Sequence, residues 1–535
     1  MERIAEPPEK GIGLPERPQK PMSWLWWSLA FVLYTALLSV HLAGLRMMWS
    51  DEFLAWKLIS DPSWQHMFGS LKEGVDGGGL LFYMLGRLVA KLAGLNPNTL
   101  RFFYGAFCFS AAGLLWGRIL RRYFSLVIAV FCVGVVWLCS GGLLFHLAEI
   151  RFYGQLLLGL SCTVTGLLWI EEASPSLAAC FLISFAANSL LVTSHMLGVM
   201  YSGLLLSALL FSRLSLLRRL MTALGTLAAW CWLVLILDII RADSTALSWI
   251  MMPHVSDLAR NFVHTPLFLG SAPQLSVVVD ACLLVFAVAA AMVYLLRKQP
   301  ETRVSYGRHL LIILSIPLML VPVVVYVLSH VYKPLFTERY LMPGLMGRMA
   351  LVACGLWMLS LRTAKKPSTW KTTAWMTAVS LVLIALHVQA VREMVHAYDP
   401  FSDLVPLLHM SGDLPVILQD QPLIDQVRYY GGVQGARFFF LVDDRDVKSH
   451  WVSIAAMRRG YEPAMTLNTD FITQHPKFLF IETPFSRTLH MDKMVLNDTR
   501  LTLSPAGTVS IRGVPADVYL AEVTQSVPQR VVRTR

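Results

Sequence analysis

Charge is scarce in this chain: Asp, Glu, Lys and Arg make up 15% of its 535 residues, against 56% hydrophobic residues and a mean hydropathy of +0.57. That balance excludes an ordinary soluble enzyme, because so few charged groups cannot keep a fold of this size in water, and most of the chain must lie in lipid. Cysteine is missing from everything after Cys354. All eight (Cys108, Cys132, Cys139, Cys162, Cys180, Cys231, Cys282 and Cys354) fall inside apolar runs, which excludes a disulfide framework and a cysteine-based metal site. There is no Walker A string and no GxGxxG at a strand-to-helix junction, so no nucleotide-binding fingerprint is encoded. Internal repeats with matched, Gly/Pro-broken hydrophobic segments are missing too, which argues against a transporter built from two halves. The net charge of +11 does not point to nucleic acid, since the Lys and Arg sit in short clusters between apolar runs, where they set topology.

About eleven apolar runs fill the first 390 or so residues. A spanning helix needs roughly 20 apolar residues, and cytoplasmic loops carry the excess of Lys and Arg. The run from Ser23 to Leu45 is too long for the core of a cleaved leader and follows a polar, Pro-rich tail (residues 1–22), so it is read as a retained first span. The clusters Arg118/Arg121/Arg122, Arg213/Arg218/Arg219, Arg297/Lys298/Arg303/Arg308 and Arg362/Lys365/Lys366/Lys371 are then expected on the cytoplasmic side. Four runs, near 125–143, 152–170, 176–191 and 196–212, separate the first two clusters, an even number, as one side requires. Runs near 221–240, 276–296, 309–330, 341–361 and 372–391 continue the alternation and deliver the tail to the external face.

Parity also decides an ambiguous segment, because if runs 79–95 and 99–117 both crossed, Arg118 would face outside. The run Gly79 to Leu95 is short and carries Arg87 and Lys91, so it is expected to lie on the surface within an external segment, residues 46–98. The fold class expected is a polytopic α-helical membrane protein, with a transmembrane module over 23–391 and an external domain over 392–535. In that tail short β-like runs (Val416 to Leu418, Phe438 to Val442, Phe478 to Ile481, Val509 to Ile511, Ala516 to Leu520) alternate with helical stretches, the pattern of a small α/β domain.

Two adjacent carboxylates, Asp51 and Glu52, follow the first span. They could be solvated charges at the membrane edge, paired with Arg46 and Lys57, or one could be a general base toward an acceptor hydroxyl at the mouth of a cavity. Phe53, Trp56, Leu58, Ile59, Trp64, Met67 and Phe68 then make an amphipathic stretch suited to roofing such a cavity. The run Gly74-Val75-Asp76-Gly77-Gly78-Gly79 is either a mobile substrate loop or a linker. The next external turn holds His146, Glu149, Arg151 and Tyr153, and a later one Ser194-His195. The tenth span is preceded by Lys333, Glu338, Arg339 and Tyr340, with Leu341, Met342 and Pro343 after them. Each could be an ordinary interfacial pair or anchor, but all fall on one face, where Arg and Lys could hold a phosphate headgroup whose lipid tail lies between helices. The first external segment has no Asp-x-Asp, there is no His-Glu-x-x-His, and the 14 histidines are scattered, so no metal or other cofactor is expected, although a carboxylate pair with water could hold a hard cation.

Asp51-Glu52 after the first helix, Glu149-x-Arg151-x-Tyr153, Ser194-His195 and Glu338-Arg339-Tyr340-Leu341-Met342-Pro343, in this order and on one side, resemble the bacterial GT-C glycosyltransferases over about residues 20–390. The similarity is to the family 39-like group of protein mannosyltransferases and lipid A aminoarabinose transferases. It implies transfer of a sugar from a polyprenyl-phosphate donor to a hydroxyl on the external face, with inversion. By that resemblance Asp51 matches the catalytic acidic residue, with Glu52 its neighbour; Arg151 and Arg339 are candidates for phosphate binding, and Tyr153, His195 and Tyr340 for lining the site, with Glu149 and Lys333 beside them as candidate substrate-binding residues. Where relatives carry a His-Pro-Pro-Leu-like string, this chain has Asp76-Gly77-Gly78-Gly79-Leu80-Leu81. Two other classes stay open on the residues alone: a lipid-linked-sugar transporter, and a noncatalytic membrane subunit whose tail binds a partner.

Overall fold

The structure, a computed structural model, describes residues 21–72, 76, 78–138, 140–231, 250–263, 273–297, 302–363, 404–410, 412–418, 421–442, 465–482, 500–511 and 514–525, with a few more between 381 and 392. The N-terminal tail before residue 21, Gly74, Val75, Gly77, Lys298, Lys365, Lys366, Lys371 and most of the expected last span lie outside the described residues.

Helix α1 (Pro21–Leu45) is apolar on all sides, as lipid contact demands, and ends in a short extended link to α2 (Ser50–Ser60). The start of α2 is set by its third residue: the Glu52 carboxylate accepts the Trp49 N–H at 3.3 Å. This is one half of a capping box, since the Trp49 side chain has no acceptor to offer in return. Asp51 and Glu52 also sit in the first turn, where the helix dipole favours negative charge. Helices α3 (Trp64–Lys72) and α4 (Leu80–Ala93) follow α2 in the segment between the first two long helices. At about 1.5 Å per residue α4 reaches only some 21 Å, short of a roughly 30 Å hydrocarbon core. Its Arg87 stacks over Trp64 at 4.1 Å and donates to the Asp61 carbonyl, which ties it to the link between α2 and α3.

Five helices among the described residues are long and apolar enough to cross a membrane: Ser23–Leu45, Pro97–Tyr123, Tyr153–Ala173, Leu177–Ser194 and Glu338–Leu361. A sixth forms if Arg303–Met319 and Val321–Val331 count as one span bent by 41°. Pro317 and Pro322 bracket that bend, each removing a backbone donor. The expected run 125–143 is broken, with a π-helical stretch at Cys132–Trp137, and Gly198–Phe211 is shorter than a full span. Polar starts fix the register of others, as where Asn96 caps Pro97–Arg101 and Ser176 caps Leu177–Ser194.

The two ends of the bundle differ in chemistry. At one, Arg122 pairs with Glu172, Arg308 donates to the Tyr123 carbonyl at 2.9 Å, Glu171 accepts the Arg213 N–H at 2.8 Å, and Arg121 lies over Trp24 at the start of α1. These are members of the first three basic clusters, gathered at one end. The other end holds Asp51, Arg151, His195 and Arg339.

The C-terminal domain is a six-stranded sheet of order β3-β2-β1-β4-β6-β5: β1 (Val416–Leu418), β2 (Phe438–Val442), β3 (Met465–Leu467), β4 (Lys477–Glu482), β5 (Arg500–Ile511) and β6 (Val514–Gln525). The first four strands are parallel and β6 runs antiparallel to β4. Alternate residues feed two cores: Val416, Leu418, Leu479 and Ile481 pack with Leu423, Ile424 and Val427 of the Gln421–Tyr430 helix on one face, and Ile417, Phe478 and Phe480 with Phe471 on the other. This is the α/β domain that the alternating runs of the tail led one to expect.

Candidate active site

Asp51 and Glu52 are neighbours in sequence but have different surroundings. Glu52 is fully buried, and Arg101 grips it in a two-point contact, Nε to Oε1 at 2.8 Å and Nη2 to Oε2 at 2.7 Å. Oε1 also accepts the Ile150 N–H at 3.0 Å. The remaining Arg101 donor, Nη1, reaches the carbonyls of Ala43 at 3.0 Å and Arg46 at 2.7 Å. Glu52 therefore ties α2, the end of α1, the Pro97–Tyr123 helix and the Glu149 turn together, and its acceptor capacity is used up. Glu52→Gln is expected to lower the thermal unfolding midpoint sharply, because breaking a buried pair costs about 3–5 kcal/mol. A variant that melted like wild type and lost only turnover would instead make Glu52 a reacting group.

Asp51 faces the other way and its side chain is 24% exposed. Arg339 Nη1 lies 2.8 Å and Arg151 Nη2 3.5 Å from the same oxygen, Oδ2. Arg151 is buried and reaches further, with Nη1 at 3.1 and 3.0 Å from the two oxygens of Asp76, which also accepts from the Tyr83 hydroxyl. Burial pulls the Arg151 guanidinium toward losing its proton, but Asp76 and then Asp51 outweigh it and hold the group well above its ordinary range. The result is a row of alternating charge, Asp76, Arg151, Asp51, Arg339. Arg46 and Lys57 take no part in it: Arg46 pairs with Glu149 at 3.2 Å and Lys57 with Asp425 at 2.8 Å.

His195 closes one wall. Its ring stacks on Phe152 with centroids 4.0 Å apart and lies 5.4 Å from that of Tyr340. Burial first, then the charges of Arg151, Arg339 and Lys333, push its pKa well below the ordinary value, so the imidazole is neutral. Nδ1 accepts the Leu197 N–H at 3.2 Å, which assigns the ring proton to Nε2 and makes His195 a hydrogen-bond donor rather than a base. The Tyr153 hydroxyl, within electrostatic reach of Arg339, Arg151 and Asp51, is buried with no partner among the described residues. An orphaned polar group beside two guanidiniums is what a bound polar ligand would satisfy.

The structure thus brings together Asp51, Arg151, Tyr153, His195, Arg339 and Tyr340, with half-buried Lys333 near enough to act on His195. Glu149 is held outside this group: His146 at 2.6 Å and Arg46 occupy its carboxylate, and although burial pushes its pKa up, His146, Arg46 and Arg151 outweigh that and hold it below the ordinary value. Reading the residues in order missed Asp76 and Arg101. Asp76 sits in the glycine run that could be a substrate loop or a linker, and the signal that could have found Arg101 is its place as a charge at the start of an apolar run, which flags function or pairing. Gly79 has a clear steric reason, since a Cβ there would come within 2.0 Å of the Thr193 carbonyl oxygen. The strand-like contact of Gly78 with His195, and of the Gly79 N–H with the Ser194 carbonyl at 3.0 Å, holds Asp76 and His195 on the same wall.

The fold defines the class: a multi-pass membrane protein with the GT-C fold, the likeness covering more than nine-tenths of the chain. The crystal structure of ArnT from Cupriavidus metallidurans in the apo state matches with a TM-score of 0.55 at 14% identity, over 93% of this chain and 98% of that one. The structure of ArnT from the same organism bound to undecaprenyl phosphate matches with a TM-score of 0.52 at 15% identity, over 95% and 100%. No family model matches the chain, and no curated protein matches it in sequence.

Proposed function

We propose that this protein is an inverting membrane glycosyltransferase that takes a sugar from a polyprenyl-phosphate donor and passes it to a hydroxyl acceptor on the external face, the periplasmic face of a bacterial inner membrane. The observation that carries this reading is the partly exposed Asp51 carboxylate set between Arg151 and Arg339. Three cations (Arg151, Arg339, Lys333) against two carboxylates (Asp51, Asp76) leave the site with a surplus positive charge suited to a phosphate. That a protein of the same fold has been solved with undecaprenyl phosphate bound supports the choice of donor.

In this mechanism Asp51 takes the proton of the acceptor hydroxyl as its oxygen attacks the anomeric carbon, and the bond from that carbon to the phosphate oxygen breaks with its electrons going to the phosphate. Both guanidinium contacts fall on Oδ2, which leaves Oδ1 to receive the proton. Arg339, Arg151 and the His195 Nε2–H stabilise the charge that develops on the leaving phosphate in a site shielded from water.

Membranes carrying the protein, given polyprenyl phosphate bearing a radiolabelled sugar, are expected to label an endogenous acceptor and release polyprenyl phosphate. Because side chains supply the counter-charge, transfer is expected to persist in EDTA. Movement of the labelled lipid across the bilayer with no transfer would replace this reading by the transporter one, and loss of transfer in EDTA would put a metal into the site.

A further inference from the structure

The link between α1 and α2 carries the site, yet part of what holds it comes from the far end of the chain. Met48, three residues before Asp51, gives its N–H to the Tyr430 hydroxyl at 3.0 Å and takes a hydrogen bond at its carbonyl from Gln426 Nε2 at 3.1 Å. Both backbone polar groups of this residue, which no helix or sheet would otherwise satisfy, are thus paired by side chains of the C-terminal domain. Met47, next to it, is buried in that domain's own core beside Leu407, Leu423 and Val427. Lys57, at the other end of α2, meets Asp425 at 2.8 Å, with side chains only 12% and 1% exposed. Between these two points Tyr429 packs edge-on against Phe53 at 5.6 Å and Trp56 at 5.3 Å.

All four domain residues, Asp425, Gln426, Tyr429 and Tyr430, lie on the single helix Gln421–Tyr430, so one rigid element grips α2 along its length. The Arg101–Glu52 pair holds the same helix from the membrane side. A buried ion pair adds little net stability, but it fixes register, and here the register fixed is that of the helix presenting Asp51.

We infer that the C-terminal domain is a positioning element of the active site, with Asp425, Gln426 and Tyr430 setting the place of Asp51 through Met48 and Lys57. This rests on the reading of Asp51 as the base. Small displacements of a reacting group cost turnover steeply, whereas the phosphate contacts of Arg151 and Arg339 belong to other elements, so the domain is expected to govern the rate of transfer without weakening the hold on donor.

The test measures transfer by the full-length protein at saturating donor, binding of undecaprenyl phosphate, and the thermal unfolding midpoint. Asp425→Asn and, with less change of packing, Tyr430→Phe are expected to lower turnover by about tenfold or more with no weakening of undecaprenyl phosphate binding. Asp425→Glu, and the exchange Lys57→Asp with Asp425→Lys, are expected to restore much of it. Turnover that stays at the wild-type level in both single variants would overturn the inference. So would a loss that follows the melting temperature and is not restored by either rescue, or one that appears only as weaker lipid binding. Absence of transfer by the wild-type protein would instead remove the glycosyltransferase reading itself.

Discussion

Asp51→Asn is expected to lower sugar transfer by about 10²- to 10⁴-fold, the usual worth of a positioned general base, while tightening the hold on polyprenyl phosphate. The two effects have opposite signs for one reason. Asparagine keeps the size and shape of the side chain but cannot take the acceptor's proton, so the chemical step suffers. The same change removes a negative charge that sits 2.8 Å from Arg339 and 3.5 Å from Arg151 and that competes with the phosphate for both. Turnover and lipid binding measured on one purified preparation separate them. Unchanged turnover would sink the base assignment, and weaker binding would sink the idea that Asp51 and the phosphate share their arginines.

Replacing the two arginines by glutamine is expected to give different failures. The Arg339 side chain is 14% exposed and its carboxylate partner Asp51 is 24% exposed, so Arg339→Gln leaves Asp51 in reach of water and the fold intact. What is lost is the charge-assisted bonding to phosphate, about 1.5–3 kcal/mol, or roughly one to two powers of ten in affinity for the lipid. Arg151→Gln strips the partner from Asp76, whose side chain is 5% exposed, and an uncompensated buried charge costs about 3–5 kcal/mol of stability. Lipid titration and thermal unfolding on both variants check this. Equal melting temperatures would contradict the assignment of Arg151 as the link between Asp76 and Asp51.

The parts of this structure that could be read in the sequence are those carried by local pattern. Val416–Leu418 and Phe438–Val442 are strands with the limits their runs indicate, because every residue is apolar, Val416–Leu418 is buried on both faces, and Phe438 and Phe439 pack into opposite cores. The hairpin of β5 and β6 is longer than the runs Val509 to Ile511 and Ala516 to Leu520 indicate: alternating polar residues, Pro505 and Gly507 interrupt the signal that Arg500–Ile511 and Val514–Gln525 carry as a ladder. Asp51, Arg151, His195 and Arg339 could be placed on one face because charge parity fixes the end of each helix. Which of Asp51 and Glu52 faces the site could not be decided that way. Adjacent residues point about 100° apart on a helix, and only the position of Arg101 shows which one is taken. Asp76 was hidden in a glycine-rich loop without periodicity. The grip of Gln421–Tyr430 on α2 joins residues more than 360 positions apart, as in Lys57 to Asp425, and no local pattern encodes it.

The measurement that bears most directly on the site is an experimental structure of the protein with undecaprenyl phosphate. The expected result is a phosphate within hydrogen-bonding distance of Arg339 and Arg151, beside Asp51, with the polyprenyl chain leaving between helices. A phosphate bound at the opposite end of the bundle, beside Arg122 and Arg308, or a lipid whose headgroup avoids both site arginines, would contradict it.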